Sequence, residues 1–379
     1  IYITKKLYGM EWQNKWNRKI ARKLDEDMPK SVNNIFYNKL KFSKMLDAYE
    51  RASKNKHKCK EVIMYELDLA NNLIVTLKQL YSGTYRVGLY RQFRIYEPKE
   101  RIIQSLPFRD RIVQQWYVEE FIKPIFVPKF IQDTYACLEE RGVHSGVKKL
   151  NKYMYEYSKT NENFYILKCD ISKFFYSINK EILYEIIKRY VKDKAFLKLT
   201  KQLIYHDNKK VGIPIGNYTS QYFANIYLNL LDHFVKEKLK IKYYVRYMDD
   251  FVLLLEDKES CKRTLEILKK FLEERLELKL NKKTNYFRGS QGVNFCGYKI
   301  YKTHIMLKKE NKKKIKNKIK KWNKLYYNKK LDLKNTTIKL NSWIGHAQNA
   351  DTFSLVNKMI RRCEWLYNEN TYGWEKNNG

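Results

Sequence analysis

Three aspartates stand where carboxylates could serve phosphoryl transfer. Asp170 closes the run Phe164-Tyr165-Ile166-Leu167-Lys168-Cys169, whose apolar start reads as a buried strand ending on an acid. Asp249 and Asp250 occupy the turn Tyr247-Met248-Asp249-Asp250, between the strand-like runs Tyr243-Tyr244-Val245 and Phe251-Val252-Leu253-Leu254-Leu255. Extending a phosphodiester chain takes two divalent cations, one activating the attacking hydroxyl and one holding the triphosphate and leaving group. Such hard cations need carboxylate oxygens converging from separate segments. Adjacent acids at a hairpin tip between apolar strands repel each other unless a cation is present. They are also ordinary turn formers, so the pair alone leaves both readings open.

The elements that must carry these acids follow from periodicity. Apolar residues at Leu67, Leu69, Leu73, Ile74 and Leu77 predict a helix from Glu61 to Leu80, ended by Ser82-Gly83. A strand is expected over Tyr90 to Tyr96, then a basic cluster from Lys99 to Arg111. A long helix is expected over Ser220 to Leu239, with Phe223, Ile226, Tyr227, Leu230, Leu231 and Phe234 on its apolar side. Lys308 to Lys330 contains twelve lysines, while Ile315, Ile319, Trp322 and Tyr326 draw one apolar stripe on that basic helix. Its lysines form either a solvated face or a surface for a polyanion.

Charge sharpens the choice. The 77 Lys and Arg against 41 Asp and Glu leave a formal net charge of +36, which destabilises a compact state unless a polyanion takes it up. Aromatics reach 15%, with 32 tyrosines that offer stacking faces as well as core volume. Six scattered cysteines form no Cys-x-x-Cys pair, which argues against a zinc site or disulfide scaffold and fits a reducing cytoplasm. No apolar run approaches the roughly 20 residues of a membrane span, and no signal peptide is visible, although Ile1 need not be the natural start. A cytoplasmic protein with no membrane partner is expected.

Five motifs in order then resemble the reverse transcriptase family, from about Tyr81 to Tyr298, with a shorter match around Ser342 to Asp351. Lys168-Cys169-Asp170-Ile171-Ser172-Lys173-Phe174-Phe175 resembles the first metal motif, and Gly212-Ile213-Pro214-Ile215-Gly216-Asn217-Tyr218-Thr219-Ser220-Gln221 the template and nucleotide motif. Tyr247 to Asp250 resembles the catalytic hairpin. Leu280-Asn281-Lys282-Lys283-Thr284 and Phe295-Cys296-Gly297-Tyr298 resemble the two that follow.

The resemblance implies roles position by position. Asp170, Asp249 and Asp250 hold two Mg²⁺ ions, for which Mn²⁺ can substitute, with the Ile171 carbonyl assisting. Lys283 is the candidate general acid for pyrophosphate. Lys99 and Arg101 grip the triphosphate. Phe175 is the gate against a 2′-hydroxyl, or else a core phenylalanine. Ile215, Gly216, Gln221 and Met248 contact the nucleotide, and Phe295, Cys296, Gly297 and Tyr298 grip the primer. The fold implied is an α+β right-hand polymerase. After a basic segment 1–59 come fingers 60–164, a palm 165–304 with an antiparallel sheet, and a helical basic thumb 305–379.

One departure narrows the resemblance. Many reverse transcriptases carry Gln-Gly-x-x-x-Ser-Pro where this chain has Ile215-Gly216-Asn217-Tyr218-Thr219-Ser220-Gln221. That form, and Ser342-Trp343-Ile344-Gly345-His346-Ala347, resemble the enzymes of diversity-generating retroelements. An aliphatic Ile215 removes a hydrogen-bonding group from the nucleotide wall, although it is equally an ordinary core residue. The resemblance implies error-prone cDNA synthesis with template RNA, nascent cDNA, dNTPs and a small accessory variability protein as partners. The alternative is a reverse transcriptase of bacterial anti-phage defence. The segment after Tyr298 is short for the maturase and nuclease domains together of a group II intron enzyme. A silent RNA-binding protein on a polymerase fold is the rival of a different class. His346 is read as structural or phosphate-contacting and left outside the site.

Overall fold

The computed structural model describes residues 31–96, 100–205, 207 and 209–367. They form two compact units interleaved along the chain. The first comprises the described residues up to Phe130, Lys173–Leu230 and Arg275–Leu278; the second comprises Ile131–Ser172, Leu231–Glu274 and the described residues from Lys279 on.

Helices dominate the first unit, packed around an aromatic core. Phe36 meets Trp116 edge-on at 5.5 Å, and Tyr117 stacks on Phe196 at 5.2 Å. The helix expected over Glu61 to Leu80 is two helices, Lys60–Glu66 and Leu69–Ser82. Leu67 falls in the break and is 74% exposed, so it belongs to no apolar stripe. Gly83 ends the second helix in the left-handed conformation that glycine adopts freely. The strand expected over Tyr90 to Tyr96 is β1 (Arg91–Ile95), hairpinned to β2 (Arg101–Ser105).

The second unit holds a four-stranded antiparallel sheet of β3 (Tyr165–Asp170), β4 (Tyr244–Tyr247), β5 (Asp250–Leu255) and β6 (Asn285–Arg288), in the order β4-β5-β3-β6. The apolar run Phe251 to Leu255 is wholly buried, as an interior strand requires. The Val143–Ser158 helix covers the sheet with Val147, Leu150, Tyr153 and Met154, in a core shared with Ile166, Val252 and Leu254. A smaller sheet follows: β7 (Val293–Phe295), β8 (Tyr298–Ile300) and β9 (Ile305–Leu307).

The lysine-rich stretch is helical over Lys309–Tyr327. Its stripe points inward, since Ile315, Ile319 and Trp322 join Leu340, Met359, Cys363 and Trp365 in a separate core with Tyr326 at its edge. The helix expected from Ser220 to Leu239 runs over Tyr218–His233 and widens into a π-type turn, Phe234–Lys238. Mixed helices and antiparallel sheets make this an α+β protein, as the sequence predicts. Among the described residues no helix is long and apolar enough to cross a membrane. All six cysteines are free thiols.

Candidate active site

Antiparallel pairing brings the acids together. β3 ends at Asp170 where β5 begins at Asp250, and the two residues are register partners. Met248 and Asp249 form the β4–β5 turn between the paired Tyr247 and Asp250, with Met248 in the left-handed region at φ +53°. The Ile171 amide donates to the Asp249 carbonyl at 3.2 Å, tying the first acid segment to the turn.

The three carboxylates are not equivalent. Lys168, two residues before Asp170 on β3, donates to Asp250 Oδ2 at 3.0 Å and to the Asn294 carbonyl at 2.5 Å. Asp250 Oδ1 is buried without a hydrogen-bond partner. Burial pushes the Asp250 carboxyl up to about 6, with Lys168 pulling it back down and Asp170 and Asp249 raising it. Among the described residues no group of three His, Cys, Asp or Glu side chains is arranged as a ligand set. Two hard-oxygen carboxylates on abutting segments, with an orphaned buried carboxylate oxygen beside them, nevertheless fit divalent cations. Of the three acids, Asp250 carries the ion pair with Lys168.

The motif after the sheet packs directly onto Asp170. The Asn281 amide donates to the Asp170 carbonyl at 2.7 Å, the Asp170 amide donates to Thr284 Oγ1 at 3.3 Å, and Leu280 bridges to Ile171. Lys283 lies exposed in this turn, its amide donating to Asn281 Oδ1 at 3.0 Å. Phe295, Cys296, Gly297 and Tyr298 form the tip of the β7–β8 hairpin. The Gly297 carbonyl accepts from Asn311 Nδ2 at 3.1 Å, and the Tyr298 hydroxyl donates to the His346 carbonyl at 2.7 Å. Phe295 and Tyr298 are fully buried, so only Cys296 and Gly297 are even partly open.

The first unit gathers the other expected residues. The Ile213 amide donates to the Phe175 carbonyl at 2.9 Å, and the Gln104 amide of β2 to the Ile215 carbonyl at 2.9 Å. Gly216 has φ +118°, and a Cβ there would lie 2.9 Å from Ile103 Cγ2 and 3.1 Å from the Gln104 carbonyl. Only glycine fits both demands. Arg101 opens the strand that meets this loop and is exposed. Phe174 is buried at 2% exposure whereas Phe175 is half-buried. Gln221 lies half-buried in the first turn of the Tyr218–His233 helix. Lys99 lies outside the described residues.

Two residues of weight escape motif reading. Arg246, just before the acid turn, and Asp232 are both fully buried and ion-paired. His346, set aside above, shares the Tyr298 hydroxyl with His144, at 2.9 and 3.2 Å.

Comparison with known proteins gives the chain's relatives and its family. Among curated relatives, the COX1/OXI3 intron 2 protein of Saccharomyces cerevisiae is 24% identical over 279 residues, 56% of this chain and 31% of that protein. The group II intron-encoded protein LtrA of Lactococcus lactis subsp. cremoris is 23% identical over 299 residues, 59% of this chain and 49% of that one. The chain thus spans half or less of the length of these relatives. Among solved structures, telomerase from Candida albicans with a fragment of telomeric RNA matches with a TM-score of 0.44 at 13% identity, over 59% of this chain and 46% of that one. A truncated apo telomerase from Candida tropicalis matches at 0.45 and 14%, over 62% and 60%. The profile described as reverse transcriptase (RNA-dependent DNA polymerase) covers residues 97–300, more than half of the chain, and the chain belongs to that family.

Proposed function

We propose that this chain is an RNA-directed DNA polymerase that copies a template RNA into cDNA with two divalent cations, Mg²⁺ or Mn²⁺. The observation that carries the reading is the register pairing of Asp170 with Asp250 beside a turn that presents Asp249. Asp170 and Asp249 hold the cations with help from the Ile171 carbonyl, and Asp250 joins them by releasing Lys168. Bound there, the cations activate the primer hydroxyl and neutralise the triphosphate. Lys99 and Arg101 grip the triphosphate, Lys283 protonates the leaving pyrophosphate, and Phe175 excludes the 2′-hydroxyl. Fingers 60–164, palm 165–304 and thumb 305–379 remain the division proposed for these roles, with the Lys309–Tyr327 helix on the nucleic acid. Primer extension on RNA with Mg²⁺, lost in Asp249→Asn, tests this reading against that of a silent RNA-binding protein.

Within the family we propose error-prone synthesis in a diversity-generating retroelement, together with a small accessory variability protein. Ile215 supports it, because an aliphatic wall cannot hydrogen-bond a base and so narrows the gap between right and wrong nucleotides. Sequencing of cDNA is expected to find errors concentrated at template adenines, with fewer in Ile215→Gln. A tenfold change in discrimination corresponds to about 1.4 kcal/mol, within reach of one altered contact. Rare errors spread evenly over the four bases would favour the anti-phage defence role instead.

A further inference from the structure

Arg246 sits on β4 immediately before the acid turn and is wholly buried. Its Nε donates to Asp232 Oδ1 at 2.7 Å, and its terminal NH₂ group donates to Asp232 Oδ2. The Asp232 carboxylate also accepts from the Tyr244 hydroxyl at 2.7 Å and from Thr134 Oγ1 at 3.2 Å. Four donated hydrogen bonds fix that carboxylate. The backbone of Arg246 is held as firmly, its amide donating to the Asp133 carbonyl at 2.9 Å and its carbonyl accepting from the Tyr135 amide at 3.0 Å.

The guanidinium has one more reach. Its remaining NH₂ group donates to the Met248 carbonyl at 3.1 Å, two residues on, inside the turn itself. Met248 is the turn residue with φ +53°, a conformation that costs an L side chain and persists only where surroundings impose it. The next peptide carries Asp249.

We propose that Arg246, locked by Asp232, is the positioning residue of the catalytic turn: it clamps the Met248 carbonyl and thereby sets the direction of the Asp249 carboxylate. This rests on the polymerase reading of Asp249 given above. A buried ion pair that served packing alone would be replaceable by apolar side chains of similar volume, often with no loss of stability. The clamp is not replaceable in that way, because apolar side chains offer the Met248 carbonyl no donor, whereas the guanidinium fork sets two donors on the Asp232 carboxylate and a third on that carbonyl. Lysine retains the charge, but its compact ammonium lacks the fixed fork that sets two donors on Asp232 and a third on the Met248 carbonyl, so it holds the turn less rigidly.

The decisive variant is therefore the double replacement Asp232→Leu with Arg246→Met, which removes both charges and keeps the volume. Three quantities are measured in the full chain: thermal midpoint, primer–template Kd, and turnover. A fourth is Mn²⁺ affinity by electron paramagnetic resonance, on protein bound to a dideoxy-terminated primer, RNA template and the next dNTP, where no chemistry occurs. The expected result is a folded protein with unchanged primer–template Kd, turnover down at least roughly tenfold, and Mn²⁺ bound several-fold more weakly. Arg246→Lys should fall between wild type and the double variant on both readouts. If the double variant does not fold, Arg246→Lys carries the same comparison. Wild-type turnover and Mn²⁺ affinity in a folded variant would overturn the proposal. If the wild type makes no DNA, the polymerase reading fails, and the Mn²⁺ comparison still decides whether Arg246 sets Asp249.

Discussion

Lys168 Nζ lies 3.0 Å from Asp250 Oδ2, so the carboxylate that follows Asp249 already has a cation of its own. The same ammonium reaches the Asn294 carbonyl on β7, and one side chain thus ties the acid turn to the β7–β8 hairpin. Burial holds the Asp250 carboxyl up to about 6 even with Lys168 beside it. Removing the ammonium raises it further. A carboxyl whose folded pKa exceeds its unfolded one loses stability as pH rises from the unfolded value through the folded one. Lys168→Met in EDTA is therefore expected to be destabilised by about 1–3 kcal/mol at pH 8 and by clearly less at pH 5. Thermal melts at the two pH values check it, and equal losses at both would mean that the pair contributes nothing through charge.

Neighbouring phenylalanines should separate core from gate. Phe174 is buried and Phe175 half-buried on the same short turn. Phe174→Ala is expected to cost about 3–5 kcal/mol of stability. Phe175→Ala should fold normally and raise the ratio of ribonucleotide to deoxynucleotide incorporation. An unchanged ratio in folded Phe175→Ala would return that residue to a packing role.

His346 adds a second pH dependence. Burial and the facing His144 hold its pKa below the usual histidine value, with the Tyr298 hydroxyl between the two rings. The unfolded chain then binds the proton more readily, so stability is full above about pH 6.5 and declines below it. Between pH 7.5 and 5.5 the melting temperature of His346→Gln should fall less than that of wild type. A parallel fall would show that His346 is not the group responsible.

The Lys309–Tyr327 helix buries Ile315, Ile319 and Trp322 and leaves Lys313, Lys314, Lys316 and Lys320 exposed. Changing these four to Gln should leave the fold intact and flatten the salt dependence of primer–template binding. The slope of log K against log salt should drop by roughly 0.7–0.9 for each lysine that contacts a phosphate. An unaltered slope would remove this helix from the nucleic-acid surface.

What could be read in advance was what is local. An apolar run ending on Asp170, and a turn of two acids between apolar runs, are complete within a few residues, and antiparallel pairing then brings them together. The stripe on the basic helix was equally legible, because one period of side chains decides which face is buried. Arg246 was not, since a lone arginine beside a turn reads as solvated. Its buried partner Asp232 lies on a different element, 14 residues earlier. The one basic residue between apolar Val245 and the acid turn was the available signal. The pairing of His144 with His346 spans most of the chain and left no local trace. The break at Leu67 was hidden by leucines that continue the helical period across it.

The most direct test is primer extension on an RNA template with Mg²⁺, comparing wild type with Asp249→Asn. Wild type is expected to make cDNA, EDTA to abolish it, and Asp249→Asn to lose at least roughly a hundredfold while still binding primer–template, because a cation has lost an anionic ligand. Synthesis by Asp249→Asn at the wild-type rate would contradict this expectation.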